Sequence, residues 1–140
     1  MNFVPLTAEH VVKMGPLAAI HAGYELTADL AVSIEECGGV AAVDDDGKVV
    51  AIAGILPRWD GVGMGWAWLT KEWRRHARRI TAEVIMGLEL ARYHRIEIGV
   101  KTDFEGGHSW ARRLGFELET PVAKKWGPDG EDYSIYVRCK

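Results

Sequence analysis

Cysteine is scarce in this chain. The two present, Cys37 and Cys139, are too few for a disulfide framework and have no metal-ligand spacing, so reduced thiols are expected. Long apolar runs are also missing. No stretch reaches the roughly 18 consecutive apolar residues that a membrane helix needs. Residues 1–12 lack a basic region followed by an apolar run, so no secretory leader is expected either. Positive charge is not in excess: the formal net charge is −3, which argues against nucleic acid as the main partner. There is no internal repeat, low-complexity tract or linker, and 140 residues suit one domain, 1–140, with one core. A cytoplasmic location is compatible with these absences, and none of them identifies a source.

What is present is an ordinary globular balance, 48% hydrophobic and 26% charged, with an unusual six Trp. Trp supplies large buried area, so six of them serve either a core or a binding groove.

The chain is organised around residues 65–100. A strand over 65–69 leads into a basic segment, 71–79. A long amphipathic helix follows to about residue 94, then a second strand over 95–100. Such a strand–crossover–strand unit normally sets two parallel strands side by side, with the helix across one face. The helix is read from Trp73, Ala77, Ile80, Val84, Leu88 and Ala91, which recur at steps of three and four. Its start is open between Lys71, with Thr70 as cap, and His76. In the first strand Trp66 and Trp68 share one face while Gly65 and Ala67 share the other. Small residues there admit either a helix packed close or a ligand against the backbone.

Earlier elements can add strands on one side. Residues 3–6 read as a short strand, and Thr7 opens a helix carrying Val11, Met14, Leu17, Ala18 and Ile20, interrupted at Gly15-Pro16. A second helix spans about 27–36 and stops at Gly38-Gly39. Strands over 40–43 and 48–56 flank Asp44-Asp45-Asp46-Gly47, a turn without the ligand alternation of a calcium loop. Pro57 ends that strand, and 58–63 reads as a polar loop. Later come a helix over about 105–114, stopped by Gly115, and a hairpin of 116–126 with 133–138. The predicted order is β-α-α-β-β-β-α-β-α-β-β.

Arg74-Arg75-His76-Ala77-Arg78-Arg79 sits where a strand gives way to a helix. Free amides at a helix start, the positive end of its dipole and guanidinium groups together suit a phosphate or pyrophosphate. Cations at a helix N-terminus oppose the dipole, so helix stability is not their purpose. A solvated helix face, or a local protein or nucleic-acid contact, is the alternative.

The element order, this basic turn and the tail His108-Ser109-Trp110-Ala111-Arg112-Arg113-Leu114-Gly115-Phe116, followed by a hairpin, resemble the GNAT superfamily of N-acetyltransferases over nearly the whole chain. Within it, the Trp66-x-Trp68-x-Thr70 then Trp73-Arg74 pattern and the Gly-Phe tail look closest to small acetyltransferase-like proteins of tailed phages, of the internal virion or head-associated type. The resemblance implies an α+β (α/β) fold: a mixed, mostly antiparallel sheet of six to seven strands with helices on both faces. It implies acetyl-CoA as cofactor and an amine as acceptor, attacked directly, with the cofactor between strands 64–69 and 95–100. Ala67, Trp68 and Leu69 would face the thioester. Arg74, Arg75, His76, Ala77, Arg78 and Arg79 would hold the phosphates, although the family's turn carries glycines and this one has none. The tyrosine that protonates the leaving thiolate in the family falls at Ala111, leaving His108 and Ser109 as substitutes. Glu72 and His76 are the candidate bases. No metal is implied. The Asp, Glu and His of 103–108 read as a glycine-loosened helix entry. His21 and Tyr24 lie either at a substrate cleft or on an ordinary half-buried surface. The rival reading keeps the fold without the reaction, as a virion component or a factor binding a phage or host protein. A homodimer that completes the site is compatible with either.

Overall fold

In the computed structural model, which describes residues 1–14 and 28–140, alternation and turn chemistry produce seven strands and four helices. These are β1 (Asn2–Pro5), α1 (Ala8–Met14), α2 (Ala28–Cys37), β2 (Val40–Val43), β3 (Val49–Trp59), β4 (Val62–Leu69), α3 (Ala77–Leu90), β5 (Arg95–Lys101), α4 (Glu105–Arg113), β6 (Glu117–Ala123) and β7 (Tyr133–Cys139). A 3₁₀ turn, Lys71–His76, joins β4 to α3. The order is the predicted one. Gly15-Pro16, Leu17, Ala18, Ile20, His21 and Tyr24 lie outside the described residues.

One sheet runs β1-β2-β3-β4-β5-β7-β6. Every neighbouring pair is antiparallel except β4–β5, which is parallel, as the crossover through α3 requires. Strand periodicity divides the side chains between two faces. Ala41, Ile52, Trp66 and Trp68 pack with Val11, Met14, Ala31 and Ile34 of α1 and α2. On the opposite face, Ala42, Ala51 and Leu69 meet Ile80 of α3, and Ile96, Val100 and Tyr136 meet Leu88 of α3 with Ala111 and Leu114 of α4. Helices therefore cover both faces.

Local chemistry fixes the ends. Thr7 caps α1: its hydroxyl accepts the His10 N–H at 3.3 Å, and its own N–H donates to His10 Nδ1 at 3.1 Å. His10 thus takes the part usually played by Glu in a capping box. In the acidic turn, Asp44 Oδ1 accepts the N–H groups of Asp46 and Lys48, both at 2.9 Å, and Gly47 takes φ 82°. The carboxylate that a cation site would need is occupied by backbone.

Three boundaries differ from expectation. Pro57 does not end β3, and 58–63 is not a loop. β3 continues to Trp59, and the turn is Asp60-Gly61, with Gly61 at φ 79°. The register against β4 shifts between Pro57 and Trp59, and a bulge is where a strand tolerates a residue without an N–H. The helix does not reach residue 94. It stops at Leu90, because Ala91 turns extended and the Lys140 ammonium donates to the carbonyls of Glu89 (2.7 Å) and Ala91 (2.6 Å). A cation on the helix's last open carbonyls is a C-cap, supplied here from 49 residues away. The open choice of helix start resolves as both: a 3₁₀ turn from Lys71, then α3 from Ala77.

Candidate active site at the split in the sheet

β4 and β5 share only three register pairs, Val62↔Arg95, Gly63↔Ile96 and Met64↔Glu97. Beyond Met64, β4 stays zipped to β3 as far as Leu69↔Ala51, and β5 stays zipped to β7 as far as Lys101↔Tyr133. The two strands part, and the sheet opens into a wedge. Backbone groups of β4 that turn away from β3 meet no strand there, and buried amides and carbonyls require partners. The apex is filled: a Cβ at Gly65 would stand 2.9 Å from Ile98 Cγ2, so only glycine lets Ile98 close the base of the wedge. Ala67 and Trp68 follow on β4, Ala67 half-buried and Trp68 buried against the α1/α2 side, with Leu69 buried on the other.

The basic turn stands at the open end of the wedge, just past Leu69. Arg74, Arg75, Arg78 and Arg79 are exposed. Among the described residues, no carboxylate lies within ion-pair distance of any of them. Arg79 lies over the Phe3 ring at 5.8 Å. His76 and Ala77 are half-buried at the start of α3, and no side chain caps that start. Four exposed guanidiniums thus flank the junction of the 3₁₀ turn with the 14-residue helix α3. Two acidic groups feel this field. Glu72 is held below the usual carboxylate range by its own backbone N–H and by Thr70, with Lys48 and Arg75 adding attraction. Asp45 is held low mainly by the terminal amine of Met1 at 2.6 Å, with smaller help from His76 and Arg79.

The residues expected to move protons are dispersed. Glu72 and His76 stand in the turn, among the arginines, past the end of β4. A lowered pKa also leaves Glu72 a weak base, since an effective base has a pKa near the working pH. His108 has both ring nitrogens engaged: one contacts Tyr136 Oη at 2.7 Å and the other accompanies the Thr102 carbonyl at 3.0 Å. A carbonyl only accepts, so Nε2 carries the proton and the Tyr136 hydroxyl donates to Nδ1 in the neutral ring. His108 therefore faces β7, whereas Trp110, about 200° further round α4, faces α3 and β4. Ser109 is exposed on the same helix. Ala111 is 1% exposed, within the apolar cluster of Ile96, Leu114 and Phe116.

Sequence reasoning placed Trp73 in the helix stripe and Trp110 in the tail, and missed that they join the two sides. Trp73, in the turn after β4, stacks on Trp110, in the helix after β5, with centroids 5.4 Å apart and planes tilted by 57°. The Trp110 indole N–H donates to the Thr81 hydroxyl of α3 at 3.0 Å. Trp73 and Trp110 sit 37 residues apart in the chain, so no local spacing signals the contact. On the other face, the Trp66 indole N–H is buried and finds no acceptor among the described residues.

No family model matches the chain, and no curated protein matches it in sequence. Solved structures do match. A ribosomal-protein-alanine N-acetyltransferase from Brucella melitensis superposes with TM-score 0.80 at 15% identity, over 100% of both chains. An N-acetyltransferase from Staphylococcus aureus gives 0.81 at 12%, over 99% of this chain and 96% of that one. A GNAT superfamily phosphinothricin acetyltransferase from Sinorhizobium meliloti, solved in complex with AcCoA, gives 0.78 at 16%, over 99% and 87%. The structural neighbours are thus GNAT-superfamily acetyltransferases, and at these identities the shared property is the fold. None of these neighbours bears on the closer likeness to phage proteins read from the 66–74 pattern and the Gly-Phe tail. Among the described residues, no helix is long and apolar enough to cross a membrane.

Proposed function

We propose that the chain binds an acyl-CoA, acetyl-CoA in the first instance, and transfers its acyl group to an amine. The observation that carries this reading is the coincidence of a wedge in the sheet with four unpaired arginines at its open end. Arg74, Arg75, Arg78 and Arg79, with the first amides of α3, would hold the phosphates. Without glycines the turn offers guanidinium side chains where a glycine-rich loop would offer backbone, and a guanidinium fits phosphate in two-pronged fashion. The free edge of β4 around Ala67 and Leu69 would pair with the amide-bearing arm. The bound thioester would supply an activated acyl carbon open to direct attack by the amine, with the C–S bond breaking and sulfur leaving as thiolate. A thiol ionises near pH 8.5, so it leaves readily without a dedicated acid. Buried Ala111 costs rate under this reading without forbidding the reaction. The proton of the attacking amine passes to solvent or to a base other than His108.

A second reading retains the fold without catalysis, as a virion or host-protein-binding factor. It is favoured by Ala111 and by the placement of Glu72 and His76 away from the strand that would face the thioester. Calorimetric titration with CoA and acetyl-CoA separates the two. Micromolar binding, with N-acetylation of a panel of amines, is expected. Absence of heat and of thermal stabilisation at millimolar CoA would leave the non-catalytic reading.

A further inference from the structure

We propose that the Trp73–Trp110 stack is a latch across the wedge, and that the cofactor seats only when it opens. This rests on the acyl-CoA reading above. The two rings belong to the elements that emerge from the diverging strands: Trp73 leaves β4, Trp110 follows β5. Their contact closes on the helix side what the strands open. The closure is pinned, because the Trp110 indole N–H is bonded to Thr81, itself 8% exposed on the first turns of α3. A cavity of about 10 Å³ beside Trp110, bounded by Leu69, Ile80 and Val84 and by Phe3 and Ala51 on the β1–β3 side, admits no more than one water.

A ligand that places its phosphates on Arg74, Arg75 and Arg78 and its thioester beside Ala67 would follow the turn that carries Trp73. The latch stands beside that route. Its equilibrium sets the fraction of molecules able to bind, and apparent affinity falls by that fraction. Removing the Thr81 hydroxyl frees the indole with little change of volume. Losing one hydrogen bond of ordinary strength shifts that equilibrium by about fivefold.

The test measures CoA affinity by calorimetry for the wild type, Thr81→Val and Trp73→Leu, and follows the exciton couplet of the stacked indoles by circular dichroism. The latch predicts that saturating CoA abolishes the couplet and that both variants bind CoA about fivefold more tightly, despite a lower melting temperature. Binding by the variants where the wild type shows none would support it equally. If the wild type binds CoA with the couplet intact and the variants bind no better, the latch is wrong and the acyl-CoA reading stands. If none of the three binds, both fall. Thr81→Val keeps the test open should Trp73→Leu fail to fold.

Discussion

Arginine is used in opposite ways on the two sides of the split sheet. On the β5–β7–β6 side, Arg95 reaches Glu97 at 2.9 Å and grips both oxygens of Glu119. Glu97 also takes Arg58 of β3 at 3.1 Å. Lys101 is likewise tied to Glu131, at 2.9 Å, on the loop before β7. On the β4–α3 side, four arginines in six positions have no such neighbours among the described residues. Charge that is paired staples strands together. Charge left unpaired at a helix start costs stability and gains a purpose only when an anion arrives.

The sharpest way to break this contrast is to exchange the arginines' fates. The Arg75→Ala/Arg78→Ala double variant is expected to lose about a hundredfold in CoA affinity, the scale of two charged hydrogen bonds, with its melting temperature slightly raised. Arg95→Ala is expected to lower the melting temperature slightly, since half-exposed pairs are worth little, and to leave CoA affinity within about twofold, since Arg95 is remote from the turn. Calorimetry and thermal unfolding on the same samples decide. A reversed pattern would mean that the turn is structural.

A smaller effect concerns His108. Tyr136→Phe removes the hydroxyl that satisfies His108 Nδ1 and that Arg112 approaches at 3.4 Å. It should cost about 1–3 kcal/mol in urea unfolding. The pH profile of any acyl transfer should not move. A shifted profile at unchanged stability would return His108 to the reaction.

The smallest effect is acid sensitivity of the stapled side. Arg95 hydrogen-bonds Glu119 and holds its carboxyl below the ordinary 4.5. A depressed pKa contributes stability that is present above the unfolded value and lost as pH falls through the folded one. Unfolding followed by circular dichroism should therefore show this contribution flat from neutral pH to about 4.5 and declining below. Glu119→Gln should remove that part of the decline. An identical acid limb in the variant would show that the pair does nothing for stability.

Much of the fold was legible because its signals are local. The β-α-α-β-β-β-α-β-α-β-β order follows from alternation, helical steps and Gly stops, and Trp66 and Trp68 do share a face. Pro57 misled because a bulge, which depends on the partner strand, absorbed the missing N–H. The helix end misled because its cap, Lys140, arrives from the end of β7. The basic turn could be placed from sequence, since it lies between two strongly patterned elements. The commitment of His108 could not, because Tyr136 is 28 residues away. Nor could the stacking of Trp73 on Trp110, which depends on how α3 and α4 lie against each other.

The three pairs that join β4 to β5 are the whole strand pairing between a four-stranded and a three-stranded half of the sheet. A seam so short resists shear poorly compared with the full-length zippers on either side. Across it, α3 packs on both halves and Arg58 of β3 reaches Glu97 of β5. Amide exchange should still find Gly63 and Met64 less protected than the middle of β3, and any molecule wedged between the halves should slow both.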